Sequence, residues 1–174
     1  MDTGIESISQ ENEHRFHACS VDRALQILAD RWTFLILRES FFGVRRYGQL
    51  ARNLGCSRTI LTVRLRRLVD AGVMERHRYR ADPDRYEYQL TQAGMELYPA
   101  IVALMHWADE HLASPKGPPL LLHHLPCDAD TVPILVCSVC GEPMHAHDVT
   151  PHPGPGAGDD PQARAGRTRP PPTQ

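Results

Sequence analysis

The chain has 174 residues, 41% of them hydrophobic, enough for one domain of ordinary size plus an appendage. No apolar run is long enough to cross a bilayer, and the first residues lack the basic-then-apolar order of a secretion signal. This argues against the membrane and secreted classes and sets the expectation of a cytoplasmic chain. The net charge of −2 hides an uneven distribution: residues 44–90 carry eleven arginines against five acids, a surplus of six, which leaves −8 elsewhere. Basic charge gathered in one stretch is an electrostatic footprint for a polyanion.

The polar residues 1–18 are expected to form a disordered arm. Residues 20–29 read as a helix through Ala24, Leu25, Ile27 and Leu28. Residues 32–41 form a second, hydrophobic nearly all round and therefore central to the core, ended by Gly43. Residues 46–54 are a short third helix with Leu50 and Leu54 four apart, and Gly55 makes a turn. The next stretch, GCSRTILTVRLRRLVDAG, has a good N-cap in Ser57 and a good stop in Gly72. On a helical wheel Leu61, Leu65 and Leu68 form a narrow buried stripe with Val69 at its edge. Thr59, Val63, Arg66, Arg67 and Asp70 point the other way, and Arg64 sits on the flank. Helix, glycine turn, helix is the spacing of a helix-turn-helix.

After Gly72 the apolar period changes. Residues 73–79 and 85–91 alternate on either side of a turn signal at Asp82-Pro83, which predicts a β-hairpin with basic stems and tip, placed as a wing. Thr91 caps one long helix over 92–112, with a kink expected at Pro99. Its apolar residues, Leu104, Trp107 and Leu112 among them, cover more than one face, and dimerisation is the natural use of the surplus. The fold class expected is mostly α with a β-hairpin wing. The expected organisation is an arm (1–18), a winged helix-turn-helix with a dimerisation helix (19–113), a linker (114–119), a small Cys/His segment (120–150) and a disordered Pro/Gly-rich tail (151–174).

Five cysteines, an odd number, argue against a disulfide framework in such a chain. His124, Cys127, Cys137 and Cys140 have the spacing His-x2-Cys-x9-Cys-x2-Cys, two pairs of soft ligands suited to a structural, tetrahedral zinc ribbon. His123, His145 and His147 are alternative ligands. Unliganded thiols and a Cys137–Cys140 redox pair are the rival readings. Cys19, just before the first helix, is either a reactive thiol or a core thiol.

The order of elements resembles the HxlR family of bacterial winged helix-turn-helix regulators, relatives of the MarR regulators. The match is carried by Cys19, by RALQILADRWTFLILRES (23–40), by GVRRYGQLARNLGCSRTILTVRLRRLVDAGVMER (43–76), by YQLTQAGMELYPAI and by Trp107. The chain departs from the family pattern at Ser20, where a proline is frequent, and at Cys56, where an aliphatic residue is usual.

The resemblance implies a homodimeric, sequence-specific transcriptional regulator, a repressor answering a redox or small-molecule cue, with duplex DNA as partner. Residues 55–72 then contain the recognition helix, with Arg58, Thr59, Thr62 and Val63 near base edges and Arg66 on a base or phosphate. Ser57 and the helix N-terminus would hold a phosphate, Arg46 and Tyr47 match backbone-contacting positions, and Arg78, Arg80 and Arg85 put the wing on the minor groove. In parts of the family the cysteine at Cys19 senses oxidants or electrophiles. The competing functions are a winged helix used only for protein contacts and a CxxC thiol oxidoreductase. No thioredoxin-like βαβ pattern surrounds Cys137 and Cys140, so an enzyme is not expected.

Overall fold

The computed structural model describes residues 19–112, 114–152 and 154–157; the expected disordered arm, and residues 153 and 158–174 of the expected tail, lie outside them. Helix α1 (Ser20–Leu28) is followed at once by α2 (Arg31–Phe41). Asp30 makes the corner. Its backbone is extended, and its carboxylate accepts the N–H groups of Trp32 at 2.9 Å and Thr33 at 3.2 Å, two donors that a helix start leaves without partners. Helix α2 is central to the core, as expected, but only the stripe Thr33, Ile36, Leu37 and Glu39 is fully buried. Glu39 is 6% exposed, and both its oxygens are used. Arg38 Nη2 lies 2.6 Å from Oε1, and Asn53 Nδ2 donates to Oε2 at 2.6 Å. A buried carboxylate is tolerable only when paired in this way.

Helix α3 (Tyr47–Leu54) ends at Gly55, whose φ of 64° is the left-handed conformation that glycine adopts without strain. Helix α4 (Arg58–Asp70) follows, with Ser57 as N-cap accepting from Ile60 N at 3.3 Å. Leu61, Leu65 and Leu68 are 0% exposed and join Leu28, Ile36, Leu37, Leu50, Val73, Met74 and Ile101 in one cluster. Full burial of each such leucine is worth about 1.5–3 kcal/mol, so this stripe fixes the seat of α4.

Strands β1 (Met74–Ala81) and β2 (Asp84–Leu90) form the expected hairpin, in register from Met74 opposite Leu90 to Ala81 opposite Asp84, with an irregularity between Arg78 and Arg80. Its base is tied to the strand-like approach to α3: Tyr88 N donates to Arg45 O at 2.8 Å, and Arg46 bridges Glu87.

The single helix expected over 92–112 is two: α5 (Gln92–Met95) and α6 (Tyr98–His111). Pro99 cannot sit inside a helix without losing a hydrogen bond and clashing with the preceding turn. It sits in the first turn of α6 instead, where the missing N–H costs nothing. Thr91 does cap, but for the short α5: its hydroxyl accepts from Gly94 N at 3.1 Å and donates to Gly72 O at 2.6 Å.

Strands β3 (Leu122–His124) and β4 (Ala129–Thr131) form a small antiparallel hairpin. The chain divides into two compact units. One runs Ala24–Pro133, past the boundary expected at residue 120, and includes this hairpin. The described residues on either side of it belong to the other. Within that second unit Cys137 N donates to Glu142 O and Gly141 N to Cys137 O, both at 2.8 Å, and Gly141 has a φ of 78°. Among the described residues no helix is long and apolar enough to cross a membrane.

Candidate nucleic-acid interface

Because its leucine stripe is fully sunk, α4 presents one face only. Ser57, Arg58, Thr59, Thr62, Val63 and Arg66 are all exposed on it, and Val63, an apolar residue, is 53% exposed. Arg66 makes a 3.6 Å i,i+4 pair with Asp70, with both side chains well out in solvent, so the pair holds it weakly. Arg67, on the outward arc, turns inward: its guanidinium donates to the carbonyl of Gln26. Arg64, on the flank, pairs with Asp30 at 2.9 Å. These two arginines fix the helix, and the others remain available.

Tyr47 joins the two helices of the motif. Its hydroxyl donates to Arg58 O at 3.0 Å and lies 3.1 Å from Thr62 Oγ1. With its one proton on the carbonyl, it accepts from Thr62. The tyrosine therefore sets the rotamer of one exposed residue and the backbone of another. Arg46 stacks over Tyr79 on the wing at 5.1 Å, and Arg76 over Tyr86 at 3.7 Å. Each stack holds its arginine in place without neutralising it.

The wing arginines differ in their duties. Arg78 is spent on the hairpin itself, paired with Asp84 and donating to Ala81 O. Arg80 and Arg85 stand directly opposite each other across the strands, both exposed. Like charges directly opposed across a hairpin repel, and an anion between them removes the cost. Between the wing and α3 lies a cleft of about 460 Å³. Besides Arg46, Tyr47 and Arg85 it is lined by Gln49, Arg52 and Tyr79, which the sequence reading did not single out. Gln49 and Arg52 are three apart on one helix, a spacing that puts them on the same face and was there to be used. Within β2, burial pushes the Tyr88 phenol above its ordinary range, with Arg76 opposing.

The four expected metal ligands occur as two local pairs, one in each unit. His124 Nδ1 lies 3.1 Å from Cys127 Sγ in the β3–β4 turn. The Cys137 thiol is drawn below its ordinary range by the N–H groups of Cys140 and Val139 and by the Cys140 thiol. Neighbouring His123 has other partners: Asp130 and Asp128, each at 3.1 Å, raise its pKa. Among the described residues no group of three or more His, Cys, Asp or Glu side chains is disposed to hold a metal ion. Cys19 is exposed ahead of α1, and Cys56 packs half-buried against the core.

A tri-helical core carrying a helix-turn-helix and a hairpin beside it is the architecture of a winged helix-turn-helix protein. Residues 27–116 match the HxlR-like helix-turn-helix family, and the chain belongs to it. It is a transcriptional regulator of the HxlR/MarR type. It is 56% identical over 143 residues to the HTH-type transcriptional regulator Rv3095 of Mycobacterium tuberculosis (strain ATCC 25618 / H37Rv), itself uncharacterized, covering 82% of this chain and 90% of Rv3095. Among solved structures it is similar to PA1607, a candidate transcription factor, at 32% identity and a TM-score of 0.68 over 75% of this chain and 92% of that one. It is also similar to the oxidized form of the redox regulator HypR, at 26% identity and a TM-score of 0.50 over 53% of this chain and 97% of that one.

Proposed function

We propose that this regulator is a cytoplasmic homodimeric repressor that reads duplex DNA through the outer face of α4 and grips its backbone with the wing. The observation that carries the reading is the opposition of Arg80 and Arg85 beside a cleft lined by three further cations or hydrogen-bonding groups, Arg46, Arg52 and Gln49. A fold that concentrates uncompensated arginine on one side is suited to a phosphate chain. Arg58, Thr59, Thr62, Val63 and Arg66 would meet base edges, with Arg66 also able to take a phosphate. Ser57, at the N-terminus of α4, and Arg46 would hold phosphates, and Tyr47, whose hydroxyl proton is spent on Arg58 O, would add only the backbone N–H that opens α3. Arg78, bound into the hairpin, would contribute by fixing the wing's shape and charge.

The likeness to a redox regulator supports a thiol cue, and exposed Cys19 is the residue assigned to it. A structural zinc belongs to the same proposal, with Cys137 and Cys140 as two of its ligands. It rests on the Cys-x2-Cys spacing of that pair and on the N–H groups of Cys140 and Val139 that draw the Cys137 thiol below its ordinary range. Bound there, the metal would supply stability to a segment with little core of its own. Elemental analysis of the purified chain should find zinc, and less of it in Cys140→Ala.

The test of the main reading is fluorescence anisotropy on duplex DNA from upstream of the chain's own gene, against a shuffled duplex at equal salt, with and without reductant. Preferential binding that weakens as salt rises supports the regulator, and a response to reductant supports the thiol cue. Equal binding to both duplexes at every salt concentration would remove the sequence-specific reading of that site.

A further inference from the structure

Helix α6 has two different sides. Leu104 and Trp107 lie bare on one. On the other, the β3–β4 hairpin and the chain leading into it roof a cavity of about 270 Å³ beside the C-terminal half of the helix. Met105, Leu120, Leu121, Leu122 and Val132 give it an aliphatic lining. At the helix side it meets His106, Asp109 and Glu110. Glu110 lies 3.7 Å from His106, but half-buried Asp109 has no ion-pair partner among the described residues. A carboxylate half-withdrawn from water beside an apolar hollow, with no cation to meet it, is electrostatically incomplete.

We infer that this cavity is a binding site for a small apolar cation, with the hydrocarbon body among the leucines and the cationic head on Asp109. Apolar pockets with a few convergent polar groups are the usual form of small-molecule sites, and the volume suits one ring with a short amine arm. The sign of the rim excludes carboxylate ligands of the same shape. Met105 belongs to the cavity and also packs against the core cluster that holds Leu61, Leu65 and Leu68 of α4. A ligand pressing on Met105 therefore acts on the element that seats the DNA-reading helix. This regulatory consequence rests on the DNA-binding reading above; the ligand site itself does not.

The test uses the full chain, ¹H–¹⁵N NMR and three probes of one shape: benzylammonium, benzyl alcohol and benzoate. Benzylammonium is expected to shift the amides of Met105, Asp109, Leu121 and Val132 and to bind more tightly than benzyl alcohol, while benzoate leaves them unmoved. Asp109→Asn, a surface-accessible change that keeps the side chain's shape, should weaken benzylammonium roughly tenfold and leave benzyl alcohol unaffected. Equal binding of all three probes, or shifts confined to other residues, overturns the site. DNA anisotropy with and without benzylammonium then separates the two readings. Failure to bind any duplex removes the regulator and leaves the ligand site standing. Unchanged DNA affinity in a protein shown to hold the ligand overturns the regulatory consequence.

Discussion

Asp30 and Arg64 lie 2.9 Å apart, and that pair locks α4 to the corner between α1 and α2. The aspartate does two things at once: one oxygen caps α2 and the other receives the guanidinium. Side-chain exposures of 24% and 26% put the pair between surface and interior, where it is worth more than a solvated one. Asparagine at this position would keep the cap and lose the charge. Asp30→Asn is therefore expected to cost about 1 kcal/mol, and Asp30→Ala, which loses the cap as well, about 2 kcal/mol. Urea denaturation measures both. DNA affinity should fall in the same order, because each loosens α4 without touching the exposed face. A wild-type affinity in Asp30→Ala would show that the pair has no part in presenting the helix.

Arg58 opens α4 at the exposed end, while Arg80 stands at the wing tip opposite Arg85. In the proposed binding mode the first discriminates and the second attracts. Arg58→Ala should bring the affinities for operator and shuffled duplex closer together. Arg80→Ala should weaken both alike and lower the slope of log affinity against log salt by about 1. Titrations on both duplexes at several salt concentrations distinguish these outcomes. An unchanged salt slope in Arg80→Ala would place the wing off the phosphate chain.

Gly94 lies in a short helix, where alanine ordinarily stabilises by up to about 1 kcal/mol. Here the sign reverses. A Cβ at Gly94 would stand 2.2 Å from the carbonyl oxygen of Val73, and that oxygen is itself held by Thr91 N at 3.1 Å. Backbone so fixed cannot swing aside as a side chain can. Gly94→Ala should destabilise by about 2 kcal/mol, read as a lower urea midpoint with an unchanged slope. A neutral or stabilising result would mean that the wing and α5 part easily.

The helix-turn-helix and wing were legible because each local signal agreed with the next. Ser57 and Gly55 punctuate α4, the leucine stripe has one period, and Asp82-Pro83 separates two alternating runs. What was not legible depended on distance in sequence. Arg64 sits on the wheel's flank with no sign that its partner is 34 positions earlier. The outward arc placed Arg67 beside the reading residues, but its guanidinium turns to a carbonyl on α1. The break between α5 and α6 was readable from Pro99, but a kink and a restart differ only in whether the tertiary structure holds Gly94 against Val73. Gln49 and Tyr79 become a site only when α3 and the wing face each other across a cleft. In the cysteine-bearing segment, spacing showed two ligand pairs, and each folds as a local contact, His124 with Cys127 and Cys137 with Cys140.

Helix α6 leaves Leu104, 49% exposed, and Trp107, 52% exposed, bare three residues apart, and Leu112 just past its end is 70% exposed, while Ile101 and Val102 are sunk in the core. Large exposed apolar residues along one line of a helix are costly in a monomer and ordinary in a two-fold interface. Trp107 also stacks at 5.3 Å on His111, which extends the surface along the helix. Trp107→Glu should convert the proposed dimer to a monomer in analytical ultracentrifugation. The far-ultraviolet spectrum should change little, because the side chain is half exposed and its ring partner within the subunit, His111, lies on the same helix. Affinity for a duplex with two half-sites should fall by about a hundredfold or more, while affinity for a single half-site stays close to that of the parent. A variant that still sediments as a dimer would move the interface off this face of α6.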